Sequence, residues 1–505
     1  MVSENGGVPN NFGAQVKSAL FWRSGSQIVA QIIAWSSTLI VIRLLSPSDY
    51  GLFALTQVVL ALLTAFAGYG FARSLVQADS VTPKMIRQTL GLLILLNGGM
   101  AIVQYIAAPY IAAYYGQPMV ADLLRVQTLI FLANPFALVS EVLLSRDLRF
   151  RPQAIVNLVA AILGAAAALI MAATGFGVWT LVFAPVIGFW VRAIGLALVV
   201  RLKPIPSFDF RGTGDMVTFG MTLLGSHLLI AIQTQSDIFL SGRKFDTHAI
   251  GLYSEALFLV QIFINKFIPP LNDVAFPAYS RIQGDVTATR WAFLKSLRLV
   301  FLVAAPIFFG LAATAKPLIL TLFGSKWGEM APYVAILGLI MPFLTFQALI
   351  GPLNNALGRP DINMKCSLLG VILFPACVLV GLNDQVIAAL QSLLKTDGKM
   401  IGVVCAWLVS APLIAWFGAS RTRAILHFSY SELLQAVRPG LVPAFLMGAV
   451  VYGLGRILPP LPAPVMLGLL VAVGAALYSG LLWLLHRSAV DEILGMVRKK
   501  KAAAQ

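Results

Sequence analysis

The sequence predicts an all-α polytopic membrane protein, and three features carry that reading. Only 11% of the 505 residues are charged while 59% are hydrophobic, where soluble domains run at roughly 25% charged. Apolar runs recur at the ~20-residue length that spans a hydrocarbon core as helix. Lys and Arg gather at alternate ends of those runs, as positive-inside sorting imposes on a chain that crosses repeatedly.

Taken in order, the runs are bounded by Pro, Gly and charge clusters. The first sixteen residues are polar and show no cleavable signal, and the apolar run at 18–45 is long enough to remain as a span. A turn leads into the second span, 51–76, and Lys84 and Arg87 open the third, 84–115. Spans at 119–145 and 153–173 flank Arg146, Arg149 and Arg151, and 178–200 ends on Arg201, Lys203 and Arg211. Two more follow at 215–241 and 249–278, the second trailed by Arg281, Arg290, Lys295 and Arg298. Spans at 291–322, 330–357 and 362–382 come next, with Arg359 and Lys365 between the last two. The span at 399–420 closes on Arg421 and Arg423, and 433–456 and 463–486 precede the tail "VRKKK". That makes about fourteen spans. Loops near 116, 175, 326 and 458 hold few basic residues or none, a split of about 25 against about 8 that places both termini in the cytoplasm. The net charge of +16 is thus dispersed between apolar runs, with no basic patch of the kind that binds nucleic acid. Cys366, Cys377 and Cys405 fall in expected spans without paired spacing and read as small apolar packing.

An internal repeat adds architecture. "IRLLSPSDYGLF" at 42–53 and "GRKFDTHAIGLY" at 242–253 pair Arg43 with Arg243, Gly51 with Gly251, Leu52 with Leu252 and Phe53 with Tyr253, all at an offset of 200. Six spans separate the copies, so they share one orientation, as in a parallel repeat about an axis along the membrane normal. Leu144 and Arg146 match Leu357 and Arg359 further on, at an offset of 213. The expectation is an N-terminal lobe at 1–211, a C-terminal lobe at 212–430, and two further spans with a basic tail at 431–505. The two six-helix lobes enclose a central cavity and rock against each other. The equivalent turns are expected to act as gates, with Gly51 and Gly251 permitting the tight turn into the next helix.

Signatures of catalysis are missing. There is no G-x-x-x-x-G-K-[ST], H-E-x-x-H or G-x-S-x-G, the four His are scattered, and no metal or cofactor motif appears. Ionisable and amide side chains inside the spans remain as functional candidates, because burying them in lipid is expensive. Arg23, Gln27 and Gln31 recur one turn apart on span 1. Gln233 and Asp237 lie on span 7, Glu255, Lys266, Asn272 and Asp273 on span 8, Arg125 on span 4 and Arg192 on span 6. A cavity lined by these cations favours an anionic substrate, and Arg matches phosphate oxygens with a planar fork. Asp237, Glu255 and Asp273 are the candidates for coupling to H⁺ or Na⁺ and the opposing charges for buried cations. Arg146, Arg149 and Arg151 are candidates for capturing an anionic headgroup, with topology determination as the plain alternative.

The runs "LIVIRLLSPSDYGLFAL" (39–55), "LLSRDLRF" (143–150), "GFGVWTLV" (175–182), "DIFLSGRKF…IGLYSEAL" (237–257), "AFPAYSRIQGD" (275–285) and "ALGRP" (356–360) resemble the polysaccharide-exporter flippases of the multidrug/oligosaccharidyl-lipid/polysaccharide superfamily, in the expected order and over nearly the whole chain. Within that family the pattern is similar to the colanic-acid-exporter-like branch. The resemblance implies fourteen helices in two lobes and a bacterial inner-membrane location. It also implies translocation of undecaprenyl-pyrophosphate-linked oligosaccharide for exopolysaccharide, capsule or O-antigen biosynthesis, beside a polymerase and co-polymerase. One departure is "NDQVIAALQSLLKTDGKM" at 383–400, an amphipathic segment where the family has a tight turn. Three alternatives stand beside this reading. A multidrug cation antiporter calls for an acid-rich, arginine-poor cavity, a membrane glycosyltransferase or polymerase calls for acids on large outer loops, and a scaffold needs no polar stripes.

Overall fold

The structure, a computed structural model, describes residues 12–66, 75, 81–147, 149–202, 205–211 and 214–487, with the side chains of 12–24, 26–28 and 214–227 outside the description. All of the regular structure described is helical. In chain order the helices are α1 (Phe12–Leu44), α2 (Pro47–Thr64), α3 (Pro83–Tyr115), α4 (Met119–Arg146), α5 (Phe150–Ala173), α6 (Trp179–Val200) and α7 (Gly214–Ser241). They continue with α8 (Thr247–Ile282), α9 (Val286–Ala313), α10 (Ala315–Leu322), α11 (Ala331–Ala356), α12 (Pro360–Gly381), α13 (Asp384–Leu394), α14 (Ile401–Leu426), α15 (Tyr430–Ile457) and α16 (Ala463–Leu485).

Apart from the short α10 and α13, each helix coincides with one expected span. Eleven of the segments described are long and apolar enough to cross a membrane. The three long helices beyond those are α1, α2 and α7, at the expected first, second and seventh spans. Two spans differ from expectation: α2 ends at Thr64, well inside the expected 51–76, and 291–322 is broken at Thr314, whose hydroxyl donates to the Gly310 carbonyl (2.8 Å) while the chain turns into α10.

The turn at 42–53 is built by capping. Ser46 is the N-cap of α2; its hydroxyl accepts from the Asp49 amide (3.2 Å) and the Asp49 carboxylate accepts from the Ser46 amide (2.9 Å). At the same offset of 200, Asp246 caps α8 by accepting from the Ala249 amide (2.8 Å). Each cap satisfies a helix-start amide that has no partner within the helix. Gly51 and Gly251 lie buried inside α2 and α8, not at the turn, and neither is among the glycines with positive φ. The expected conformational reason for these two glycines is therefore replaced by the caps one turn earlier.

Two compact units are formed, Met1–Arg243 and Lys244–Gln505. In the first, α3 packs along α4, α1 along α5, α6 against both α4 and α5, and α7 against α2. In the second, α8 and α9 pack on α11, α12 and α11 on α14, α15 on α9, and α16 on α15 and α10. Buried aromatics fill the second unit, with Trp327, Tyr253, Tyr333, Phe293 and Phe374 all nearly inaccessible.

Candidate functional site

Two of the cations selected in the first unit, Arg192 and Arg125, are held in ion pairs. Arg192 on α6 donates through Nη2 to Glu141 Oε2 on α4 (2.6 Å), and Gln153 Nε2 on α5 donates to the other carboxylate oxygen (3.2 Å). Three helices thus meet on one half-buried acid. Arg125 reaches Asp122 one turn back on α4 (3.2 Å) and lies over the Tyr105 ring (5.4 Å). For Arg192 the opposing acid is Glu141, not the Asp237, Glu255 or Asp273 expected from sequence. Arg146 donates to the Leu75 carbonyl (2.8 Å), while Arg149 and Arg151, at the start of α5, are exposed. Gln31 is half-buried; the side chains of Arg23 and Gln27 lie outside the described residues.

On α7, Asp237 is fully buried and its Oδ1 accepts from the Ile238 amide (2.8 Å), while Ser241 Oγ donates to the Asp237 carbonyl. Gln233 is half-buried one turn earlier. At the end of this helix Arg243 sits over the Tyr114 ring (5.6 Å), which stacks on Phe239. Arg43, at the equivalent position of the first copy, is exposed.

In the second unit α8 concentrates the polar groups. Glu255 is buried and has no hydrogen bond or ion pair among the described residues. Lys266 and Asp273 are exposed and equally without such partners. Asn272 donates to the Ala348 carbonyl on α11 (3.0 Å) and leaves its own Oδ1 buried and unpartnered. Pro269, Pro270 and Pro277 interrupt the helix. A proline nitrogen cannot donate to the residue four back, so the carbonyls of Asn265, Lys266 and Asp273 lose their helical partners. The stretch 265–277 therefore carries polar groups of both backbone and side chain among exposed apolar residues such as Phe267 and Val274. Asp246, outside the spans, is held below its usual carboxylate range: burial works against this, but the Lys399 ammonium and the Ala249 amide outweigh it.

The sequence-selected residues thus form local sets along α4–α6, α7 and α8. Sequence reasoning missed the uncharged buried pairs. Asn134 donates to Asn97 (2.9 Å), Gln127 to Thr56 (2.9 Å), Gln104 to the Leu124 carbonyl (2.7 Å) and Thr422 to Asn354 (2.8 Å). Amides in otherwise apolar runs were the available signal. Among the described residues no three His, Cys, Asp or Glu side chains gather as a metal site.

Similarity to known proteins runs the length of the chain. The succinoglycan biosynthesis transport protein ExoT of Rhizobium meliloti (strain 1021) is 26% identical over 467 residues, 92% of each chain. The teichuronic acid biosynthesis protein TuaB of Bacillus subtilis (strain 168) is 25% identical over 418 residues, 82% of this chain and 84% of that one. The lipid II flippase MurJ in an inward closed conformation superposes with a TM-score of 0.74 at 13% identity, covering 92% of this chain and 99% of that one, and so shares the fold. The family model for polysaccharide biosynthesis proteins matches residues 40–332, more than half of the chain, and the protein belongs to that family.

Proposed function

We propose that the protein is a flippase that moves undecaprenyl-pyrophosphate-linked oligosaccharide from the cytoplasmic to the periplasmic leaflet of a bacterial inner membrane, without altering it covalently. The observation that carries this is α8, which is apolar enough to cross a membrane yet holds Glu255, Lys266, Asn272, Asp273 and three interior prolines. Ionisable groups and broken helical backbone persist at membrane depth where they line a water-filled path. The family membership and the fold shared with a lipid II flippase support the same cargo class.

The physical demand is plain. A glycan cannot cross hydrocarbon unaided because each hydroxyl would lose its hydrogen bonds to water. A hydrated cationic cavity shields glycan and diphosphate while the apolar tail stays in lipid. Alternating access then delivers the headgroup to the other side. Lys266 is the cation best placed for the diphosphate, since no protein acid among the described residues neutralises it. Arg23, Arg125, Arg192, Gln27, Gln31, Gln233 and Asn272 complete the assigned path, and Arg146, Arg149 and Arg151 the capture of the headgroup on the cytoplasmic side. The repeat-based lobes, with the turns around Arg43 and Arg243 as gates, belong to the same proposal. Glu255, buried without an ionic partner among the described residues, is assigned to H⁺ or Na⁺ coupling ahead of Asp237 and Asp273.

Reconstitution tests this. Purified protein in liposomes should transfer a labelled lipid-linked oligosaccharide to the far leaflet with its covalent structure intact. Lys266→Ala should lower the transfer rate by at least about tenfold, the loss expected for one charge-assisted contact to phosphate, at an unchanged level of folded protein. A lengthened or cleaved glycan product would overturn the assignment.

A further inference from the structure

The second unit contains a cavity of about 1130 Å³ at one end of its helices. Its walls come from the starts of α8 and α11, the ends of α9 and α15, and the segment 394–399. Arg281 and Arg290 sit at the opposite ends of α8 and α9, Arg359 just beyond the opposite end of α11, and Arg421 and Arg423 at the end of α14 away from the 394–399 segment. The cavity therefore faces away from the basic loops, toward the outer side in the orientation proposed above.

The insertion singled out in the sequence forms one wall. Helix α13 starts on Asn383, whose side chain accepts from the Gln385 amide (2.9 Å), and ends on Lys395 in the left-handed conformation (φ 50°). Both flanks are tied to the turn before α8. Lys244 bonds Asp384 (2.5 Å) and the Leu382 carbonyl, and Lys399 bonds Asp246 (2.5 Å). Behind the segment, Tyr333 accepts from the Met400 amide (3.1 Å). Its ring lies so close to Gly398 that a Cβ there would come within 2.6 Å. The wall is thus a braced element.

The lining is chemically mixed. Lys399 is occupied by Asp246, His248 faces Glu329 (3.3 Å), and Arg456 lies over the half-exposed Tyr452 ring (4.7 Å). Lys316, Lys395 and Asp397 are exposed and carry no hydrogen bond or ion pair among the described residues. Polar groups of both signs beside an aromatic ring suit a polyhydroxy ligand, whose hydroxyls donate and accept and whose C–H face packs on the ring. The two ammonium groups with no partner add a preference for negative charge.

We infer that this cavity is a second saccharide site, binding a carboxylate-bearing oligosaccharide on the outer face through Lys316, Lys395 and the Arg456–Tyr452 pair. The inference rests on the flippase reading for the class of cargo, but not for its test. The probe is trigalacturonate, titrated calorimetrically into the full chain in detergent, with maltotriose as the neutral comparison and dihexanoylphosphatidylglycerol as the lipid-headgroup comparison.

Trigalacturonate should bind about tenfold more tightly than maltotriose, and Lys316→Gln and Lys395→Asn should each weaken it by about tenfold. Asparagine tolerates the left-handed backbone at 395, and neither lysine has a described partner to lose, so both variants keep the fold. Asp397→Asn should tighten binding by about threefold, a gain that misfolding cannot mimic. Added salt should weaken the wild type through screening. Binding that ignores all three substitutions overturns the proposal. So does lysine-dependent binding of the phospholipid alone, which makes the cavity a headgroup site. Liposome transfer measured in parallel separates the two readings. Transfer without trigalacturonate binding defeats this inference only, whereas lysine-dependent binding without transfer defeats the flippase assignment only.

Discussion

The Arg192 guanidinium and the Glu141 carboxylate are each only about a third exposed, at 29% and 32%. Their pairing lies between two regimes. An exposed pair contributes at most about 1 kcal/mol, whereas stripping one partner from a buried pair costs about 3–5 kcal/mol. Arg192→Ala should therefore destabilise the protein by about 1–3 kcal/mol, seen as a lower melting temperature of the detergent-solubilised chain. A second change, Glu141→Gln, should recover most of it by removing the stranded charge. Failure of the double variant to recover would show that Arg192 holds the fold by packing and not by this pair. Arg192 is legible in the sequence as a charge inside an apolar run, but its partner is not. Glu141 lies on another helix 51 positions away, and no spacing rule links them. The Asn97–Asn134 bond, 37 positions apart, is hidden in the same way, because an amide carries no sign that asks for a complement.

Helices α12 and α14 meet through glycine. A Cβ on Gly402 would fall 1.9 Å from the Gly381 carbonyl oxygen, and one on Gly381 would fall 2.4 Å from that of Gly402. Backbone touches backbone at this point, the approach that small residues allow between membrane helices. The insertion 383–400 joins these two positions. An amphipathic helix inserted there suggests splayed neighbours, yet the ends it connects remain in contact and α13 folds outside them. Gly402→Ala should force the pair apart and cost about 1–3 kcal/mol, in the range of overpacked cores, measurable by the same melting experiment. Unchanged stability would mean that the two helices relax apart freely. The presence of the insertion and its helical character are legible from residues 383–400. The bracing by Lys244, Asp246 and Tyr333 is not, since it brings together residues up to 153 positions apart.

At the scale of the whole molecule, length and hydropathy leave little freedom. A run of ~20 apolar residues has one economical structure in lipid, a helix that satisfies its own backbone, which is why the expected spans and the long helices coincide. The proposed orientation rests on a different term, the retention of Lys and Arg on the cytoplasmic side, and it is independently testable. In a chain lacking Cys366, Cys377 and Cys405, single cysteines at Gln117, Phe176 and Pro459 should react with a membrane-impermeant maleimide in spheroplasts. Those at Lys84, Arg211 and Arg421 should react only after permeabilisation. The first three lie in loops with few or no basic residues and the last three in the basic clusters. A cysteine at Lys395 provides the link to the cavity: it lies at the end of the second unit away from the basic loops, so it should label with the outer set. Reversal at two or more of the six loop positions would sink the topology and move the cavity to the cytoplasmic face. An outer Pro459 with an inner Lys395 would instead mean that the insertion passes back through the membrane plane, which the capped, eleven-residue α13 is too short to do.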